Sequence, residues 1–270
     1  MQFQKISIIG VGLLGGSIGL AARQRKLAGE IAGFVRRPAS LNDCEKTGAV
    51  DYATTDLLAA VSNSDLVILC TPLAQMRPLA EQFLPALKRG AIVTDVGSVK
   101  AGVVRELESL VAKAGAHFIG GHPMAGGEKM GVRAARADLF VNAVNILTPT
   151  KKSNTNSVRK LEQFWKSLGA RTLQLAPAKH DWLVSRSSHL PHVVAMTLAG
   201  LVLDPKQPES AGRALRGWLS RHDPHRVQFA GDVARHHAGQ SQKHCQRGGR
   251  VHCRPEEIPI RTQERRRRGG

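Results

Sequence analysis

The stretch that most constrains this chain is "KISIIGVGLLGGSIGL", residues 5–20. An apolar run is followed by Gly10-x-Gly12-x-x-Gly15 and then by residues with helical spacing. A strand, a tight turn and a helix in that order give each glycine a separate task. Gly10 permits the turn, Gly12 lets the backbone approach a pyrophosphate, and Gly15 lets the helix pack closely on the strand. The helix then presents its free N–H groups and positive dipole end to phosphate. Gly10, Gly12, Leu13, Leu14 and Gly15 are therefore the candidate dinucleotide contacts. A glycine triplet alone is also a common turn, so the surrounding pattern has to decide.

It does so by repetition. "EIAGFV", "DLVILCT", "AIVTDVG" and "HFIGGHP" are nearly continuous apolar runs, the mark of strands buried on both faces of a parallel sheet. Leu13–Arg25, Ser40–Thr47, Leu73–Lys88 and Lys100–Ala114 have helical spacing between them. Alternating strands and helices predict an α/β fold, a Rossmann-type doubly wound sheet over residues 1–150. A strand "VNAVNILTPT" closes that part, and the polar "KKSNTNS" reads as a boundary loop. Val158–Leu168, the short strand "RTLQLAP" and a long helix over Lys179–Val202 predict a smaller, mainly α-helical domain across 151–210.

Composition changes near residue 210. The chain of 270 residues carries a formal charge of +18. Residues 211–270 hold 14 Lys+Arg against 5 Asp+Glu, with six of the eleven histidines and two of the four cysteines. Arginine runs such as "ERRRR" attract phosphate, but no aromatic platform interleaves with them and no recognition helix is evident, which argues against a nucleic-acid partner. His236, His237, His244, Cys245, His252 and Cys253 lack a paired Cys-x-x-Cys hook, so no metal site is expected. No run of 18 apolar residues exists, which argues against a membrane span. With no secretory signal, and cysteines without framework spacing, a cytoplasmic protein is expected.

The second strand ends "GFVRRP". Val35 stands where an acid would bind the ribose 2′-hydroxyl of NAD, and Arg36 and Arg37 follow. A guanidinium pair suits a 2′-phosphate, so NADP is favoured over NAD. Thr71, at the end of "DLVILCT", joins the cofactor candidates.

Three further stretches lie where open α/β sheets bind ligands or in the helical part: "TDVGSVK" (94–100), "GGHPMAGGEKMG" (120–131) and "HDWLVSRSSHLPH" (180–192). His122, at a strand end, can accept a proton near neutral pH. Ser98 can hydrogen-bond the same substrate hydroxyl, or cap the helix starting near Lys100. Glu128 and Lys129 read as a surface ion pair, His180 and Asp181 as the start of the long helix, and His192 as a packed or capped histidine. None of these five is assigned a catalytic role.

Together "GVGLLGGSIGL", "DVGSVK", "GGHPMAGGE" and "HD…SHLPH", in that order over residues 5 to about 205, resemble the prephenate/arogenate dehydrogenase family of tyrosine biosynthesis. The resemblance implies oxidative decarboxylation of a small cyclohexadienol substrate, prephenate or arogenate, with hydride transfer to NAD(P)+. It implies that His122 accepts the 4-hydroxyl proton, that Ser98 holds that hydroxyl, and that His189 lines the substrate pocket. It also implies a homodimer. A hydroxy-acid dehydrogenase of related architecture is the alternative, and it leaves "SHLPH" without a role.

Past residue 210 the resemblance stops. Relatives of this family carry a motif of the type "GFRDxTRIA", whose arginine binds substrate carboxylate. This chain instead reads "RGWLSRHDPHRVQFAGDVARHHAGQSQ". Shifted by one base, with suitable codons, residues 217–242 spell "AGFRDTTRIASSSPEMWRDITLANR". A frameshift near residues 204–216 is therefore expected, leaving 211–270 as a basic, out-of-frame tail. Lacking that arginine, this polypeptide is expected to bind nucleotide better than it turns over substrate.

Overall fold

A computed structural model describes residues 1–127 and 129–202. The expectations placed on Glu128, on the tail, on its His/Cys set and on the shifted segment lie outside the described residues.

The elements follow in chain order as β1 (Phe3–Ile9), α1 (Leu13–Gln24), β2 (Ala28–Phe34), α2 (Leu41–Lys46), β3 (Tyr52–Thr54), α3 (Leu57–Val61), β4 (Leu66–Leu69), α4 (Leu73–Phe83), β5 (Ile92–Asp95), α5 (Ala101–Lys113), β6 (His117–Pro123), β7 (Val144–Thr148), α6 (Thr155–Ser167), β8 (Arg171–Gln174), α7 (Pro177–Val184) and α8 (Leu190–Val202). A π-helical turn, Ser185–His189, joins the last two, so the expected single helix over 179–202 is two helices with a widened turn between them.

The eight strands form one sheet in the order β3-β2-β1-β4-β5-β6-β7-β8. All neighbours are parallel except β6 and β7, which run antiparallel. Strand order reverses direction between β1 and β4, which makes the crevice at their carboxyl ends the topological switch point. The sheet runs on past residue 150, because β8 pairs with β7 in register from Val144↔Arg171 to Leu147↔Gln174. Residues 1–191 form one compact unit.

Why continuous apolar runs were needed is visible in the packing. Along β4, Leu66 and Ile68 belong to a core with Ile8, Ile18, Ile119 and Leu147, while Val67 and Leu69 belong to a second core with Phe83, Val93 and Phe118. Side chains alternate across a strand, so a sheet covered on both faces requires apolar residues at both parities. The helix α1 approaches closely because its inner face is almost bare. A Cβ on Gly19 would lie 1.9 Å from the Ala49 carbonyl oxygen, and one on Gly15 would lie 2.3 Å from that of Gly10.

The candidate active site

At the carboxyl end of β1, Gly10 adopts φ +101°, a conformation that side chains resist. A Cβ there would also lie 2.8 Å from the Cys70 carbonyl oxygen. Gly12 is different. Among the described residues nothing lies within 4 Å of where its Cβ would be, so its missing side chain keeps space open rather than allowing internal packing. It begins α1, whose first turn carries no acidic residue and whose start has no side-chain cap. Leu13 and Leu14, half-buried, open that turn. Helix-start N–H groups left free by the protein are an anion site.

Across the switch point, Thr71 follows β4, and its methyl carbon would lie 3.1 Å from a Cβ on Gly10. Its hydroxyl oxygen is buried with no hydrogen-bond partner among the described residues. An open cradle, a free helix start and an unsatisfied hydroxyl at one place are the features a dinucleotide requires, so the residues present fit one. Val35 is buried, and Arg36 and Arg37 are exposed beyond β2, with no ion pair among the described residues.

Beyond β5 and β6 lies a second, wholly different cluster. Asp95, ending β5, and Lys100, just before α5, are both fully buried and form an ion pair. Lys100 Nζ also donates to the Gly121 carbonyl at 2.8 Å, while Gly121 N–H donates to Asp95 Oδ1 at 3.2 Å. The pair thus grips the backbone next to His122. Burial pushes the Asp95 carboxyl up and the Lys100 ammonium down, each opposed by its partner. "GGH" is glycine-rich for packing: a Cβ on Gly120 would lie 2.4 Å from Thr148 Oγ1, and one on Gly121 would lie 2.8 Å from the Asp95 carbonyl oxygen.

His122 stands on β6, buried, opposite Ile146 on β7. Its Nδ1 lies 2.9 Å from Nε2 of His180, and His180 Nδ1 lies 2.8 Å from Asp181 Oδ1. Nε2 of His122 has no hydrogen-bond partner among the described residues. Burial pushes its pKa down to about 4, aided by His180, Lys100 and His189 and opposed by Asp181. The imidazole is therefore uncharged at neutral pH.

His180 and Asp181 lie inside α7, which begins at Pro177, and not at its start as the sequence suggested. Asp181 caps a different helix: its two oxygens accept the N–H groups of Lys100 at 2.8 Å and Ala101 at 2.9 Å. The capping role considered for Ser98 is thus filled from 81 residues away, and Ser98 is exposed in the β5–α5 loop. His189, half-buried in the π-helical turn, lies close enough to His122 to act on its charge. His192 is exposed on α8, and Lys129 is exposed in the loop after β6.

Sequence reasoning missed Lys100 and undervalued His180 and Asp181. "DVGSVK" does show a lysine five residues after a strand-end aspartate, and that is the one local signal available. Among the described residues, no group of three His, Cys, Asp or Glu is placed to hold a metal ion. No helix among them is long and apolar enough to cross a membrane. A cavity of about 450 Å³ lined by Gln4, Asp65, Lys88, Arg89 and Asn154 opens at the opposite, amino ends of the strands.

Sheet order, glycine turn and crevice define a Rossmann-type dinucleotide-binding domain. The nucleotide-binding domain family of prephenate dehydrogenase matches residues 18–174, and the chain belongs to the prephenate dehydrogenase family. It is 35% identical over 194 residues to prephenate dehydrogenase of Bacillus subtilis, a match covering 72% of this chain and 52% of that one. It is 33% identical over 201 residues to cyclohexadienyl dehydrogenase of Zymomonas mobilis, covering 74% and 68%. The chain thus spans about half the length of the first relative and two thirds of the second. Among solved structures, prephenate dehydrogenase of Aquifex aeolicus in complex with hydroxyphenyl propionate and NAD+ superposes with TM-score 0.71 at 29% identity, covering 90% of this chain and 89% of that chain. Arogenate dehydrogenase of Synechocystis superposes with TM-score 0.66 at 28% identity, covering 90% and 89%.

Proposed function

We propose that this chain carries out the oxidative decarboxylation of prephenate or arogenate, using NAD(P)+ held at the glycine turn. The observation that carries the reading is an uncharged imidazole on β6 with one nitrogen engaged and the other left over. Bound NAD(P)+ supplies the hydride acceptor.

His122 Nε2 takes the proton of the ring hydroxyl as the C–H bond at the same carbon gives up hydride, so that C–O becomes C=O. The ring carboxylate then leaves as CO2, its bonding electron pair completes the aromatic ring, and the resulting phenolate recovers a proton from His122. Removing the hydroxyl proton eases hydride loss, and a base that is free at working pH can do so. Ser98 holds the hydroxyl and His189 lines the substrate pocket. Gly10, Gly12, Leu13, Leu14, Gly15 and Thr71 hold the cofactor, and Arg36 and Arg37 favour NADP through its 2′-phosphate. The enzyme acts as a cytoplasmic homodimer. Residues 217–242, read one base out of frame, would supply the missing substrate arginine, so the chain as printed binds nucleotide better than it turns over substrate.

The test is the initial rate with each substrate and each nicotinamide cofactor, on the chain as printed and on a frame-restored version. Reduced cofactor and CO2 in equal amounts from the restored chain, with NADP+ the better acceptor, are expected. A restored chain that turns over neither substrate overturns the reading, and equal turnover by the two versions overturns the frameshift.

A further inference from the structure

A general base of this kind works only if its lone pair faces the substrate. For a neutral imidazole that depends on which nitrogen carries the proton, and the hydrogen bond at one nitrogen decides the state of the other. Here the deciding chain of contacts begins at Asp181. Its carboxylate receives three donors, the N–H groups of Lys100 and Ala101 and one nitrogen of His180. Burial opposes the ionised form but is outweighed by those donors, so the carboxyl is held below its usual range. A carboxylate can only accept, so the proton on His180 sits on Nδ1, facing it.

The rest follows in sequence. With Nδ1 protonated, His180 is neutral only if Nε2 carries a lone pair. Burial, ahead of every other influence, pushes the His180 pKa down, which keeps it neutral. That lone pair lies 2.9 Å from Nδ1 of His122 and can be satisfied only by an N–H there. His122 therefore carries its proton on Nδ1 and its lone pair on Nε2. The opposite arrangement would set a bare His180 Nδ1 against a carboxylate at 2.8 Å, two acceptors facing each other.

We propose that His180 and Asp181 are positioning residues, a two-step relay anchored on the start of α5 that fixes the proton of His122 on Nδ1 and reserves Nε2 for substrate. The inference rests on the reading of His122 as the base. Among the described residues, the charged and titratable groups acting on His122 are His180 and Asp181 from α7, Lys100 from the start of α5 and His189 from the π-helical turn. Only His180 among the described residues hydrogen-bonds its Nδ1. When Nε2 gains the substrate proton, the Asp181 charge beyond His180 offsets the new positive charge without any group having to move.

The experiment is nitrogen NMR of ring-labelled histidine in the full chain, with the His122 signal identified by its loss in His122→Gln. The wild type is expected to show the proton on Nδ1 of His122. His180→Met, which offers no acceptor, is expected to shift it toward Nε2 and to lower kcat at least about tenfold, with cofactor affinity within twofold. His180→Gln, whose carbonyl can still accept, is expected to retain the Nδ1 proton and more of the rate, and it carries the test if His180→Met does not fold. A wild-type His122 protonated on Nε2, or His180→Met and His180→Gln with identical His122 signals and rates, overturns the relay. Failure of the base assignment looks different: the Nδ1 proton is present, yet His122→Gln turns over substrate as fast as the wild type.

Discussion

Two regions of the crevice are built on opposite principles. The glycine turn after β1 works through what is missing: no side chain at Gly12, no acid in the first turn of α1, no partner for the Thr71 hydroxyl among the described residues. The cluster beyond β5 and β6 works through what is present, five residues (Asp95, Lys100, His122, His180 and Asp181) linked by an ion pair, by side-chain hydrogen bonds and by the backbone N–H of Lys100. The first is finished by a ligand and the second is finished already. Substitutions at Gly12 and Thr71, unlike those at the packing glycines Gly10 and Gly15, should therefore spare the fold and reduce binding, while substitutions in the cluster should cost stability before any substrate arrives.

The largest expected break is Lys100→Met. It strands a fully buried Asp95 and should cost about 3–5 kcal/mol in urea unfolding. The double variant Asp95→Asn with Lys100→Met should recover a good part of that, and no recovery would mean the pair is not what holds the loop. Next comes acid. The folded pKa of His122 is depressed to about 4, so between its ordinary value of 6.5 and 4 the unfolded chain takes up a proton that the folded chain refuses. Stability that is full above pH 6.5 should fall by up to about 3 kcal/mol as pH drops through that window. His122→Gln should lose correspondingly less across the same range, and equal pH slopes for both proteins would refute the depressed value.

The turn is probed by smaller effects of the opposite kind. Gly12→Ala should leave the melting temperature nearly unchanged, because its methyl group meets nothing within 4 Å among the described residues. It should weaken NAD(P)+ binding about tenfold by calorimetry, a loss of ~1.4 kcal/mol. A large drop in melting temperature would place Gly12 among the packing glycines, with Gly15 and Gly19. Smallest of all, replacing Arg36 and Arg37 together by alanine should raise KM for NADP+ a few-fold more than KM for NAD+. Equal changes would remove the basis for preferring the phosphorylated cofactor.

The same contrast explains what could be read before any coordinates. Strand–turn–helix at residues 5–20 is a local pattern, and local patterns leave their periodicity in the chain; β1, α1, β4 and β5 fall where apolar spacing puts them. Three-residue β3 carries no period worth the name, and α3 was missed although Asp56 announces it, accepting from the N–H groups of Leu58 and Ala59. His122 was legible because it ends a strand beside glycines. Its partner lies 58 residues on, and the carboxylate that caps α5 lies 81 residues from Lys100. No spacing rule reaches across such intervals, since only the packing of α7 against α5 brings those groups together.

One carboxylate serving two helices has a thermal consequence. Asp181 ties the short α7 to the first turn of α5, so any loosening of α7 frees both backbone N–H groups and disconnects His180 in a single event. Heat should therefore silence turnover at a temperature where the sheet is still intact and nucleotide still binds, a gap that a thermal inactivation curve laid beside a calorimetric melt would expose.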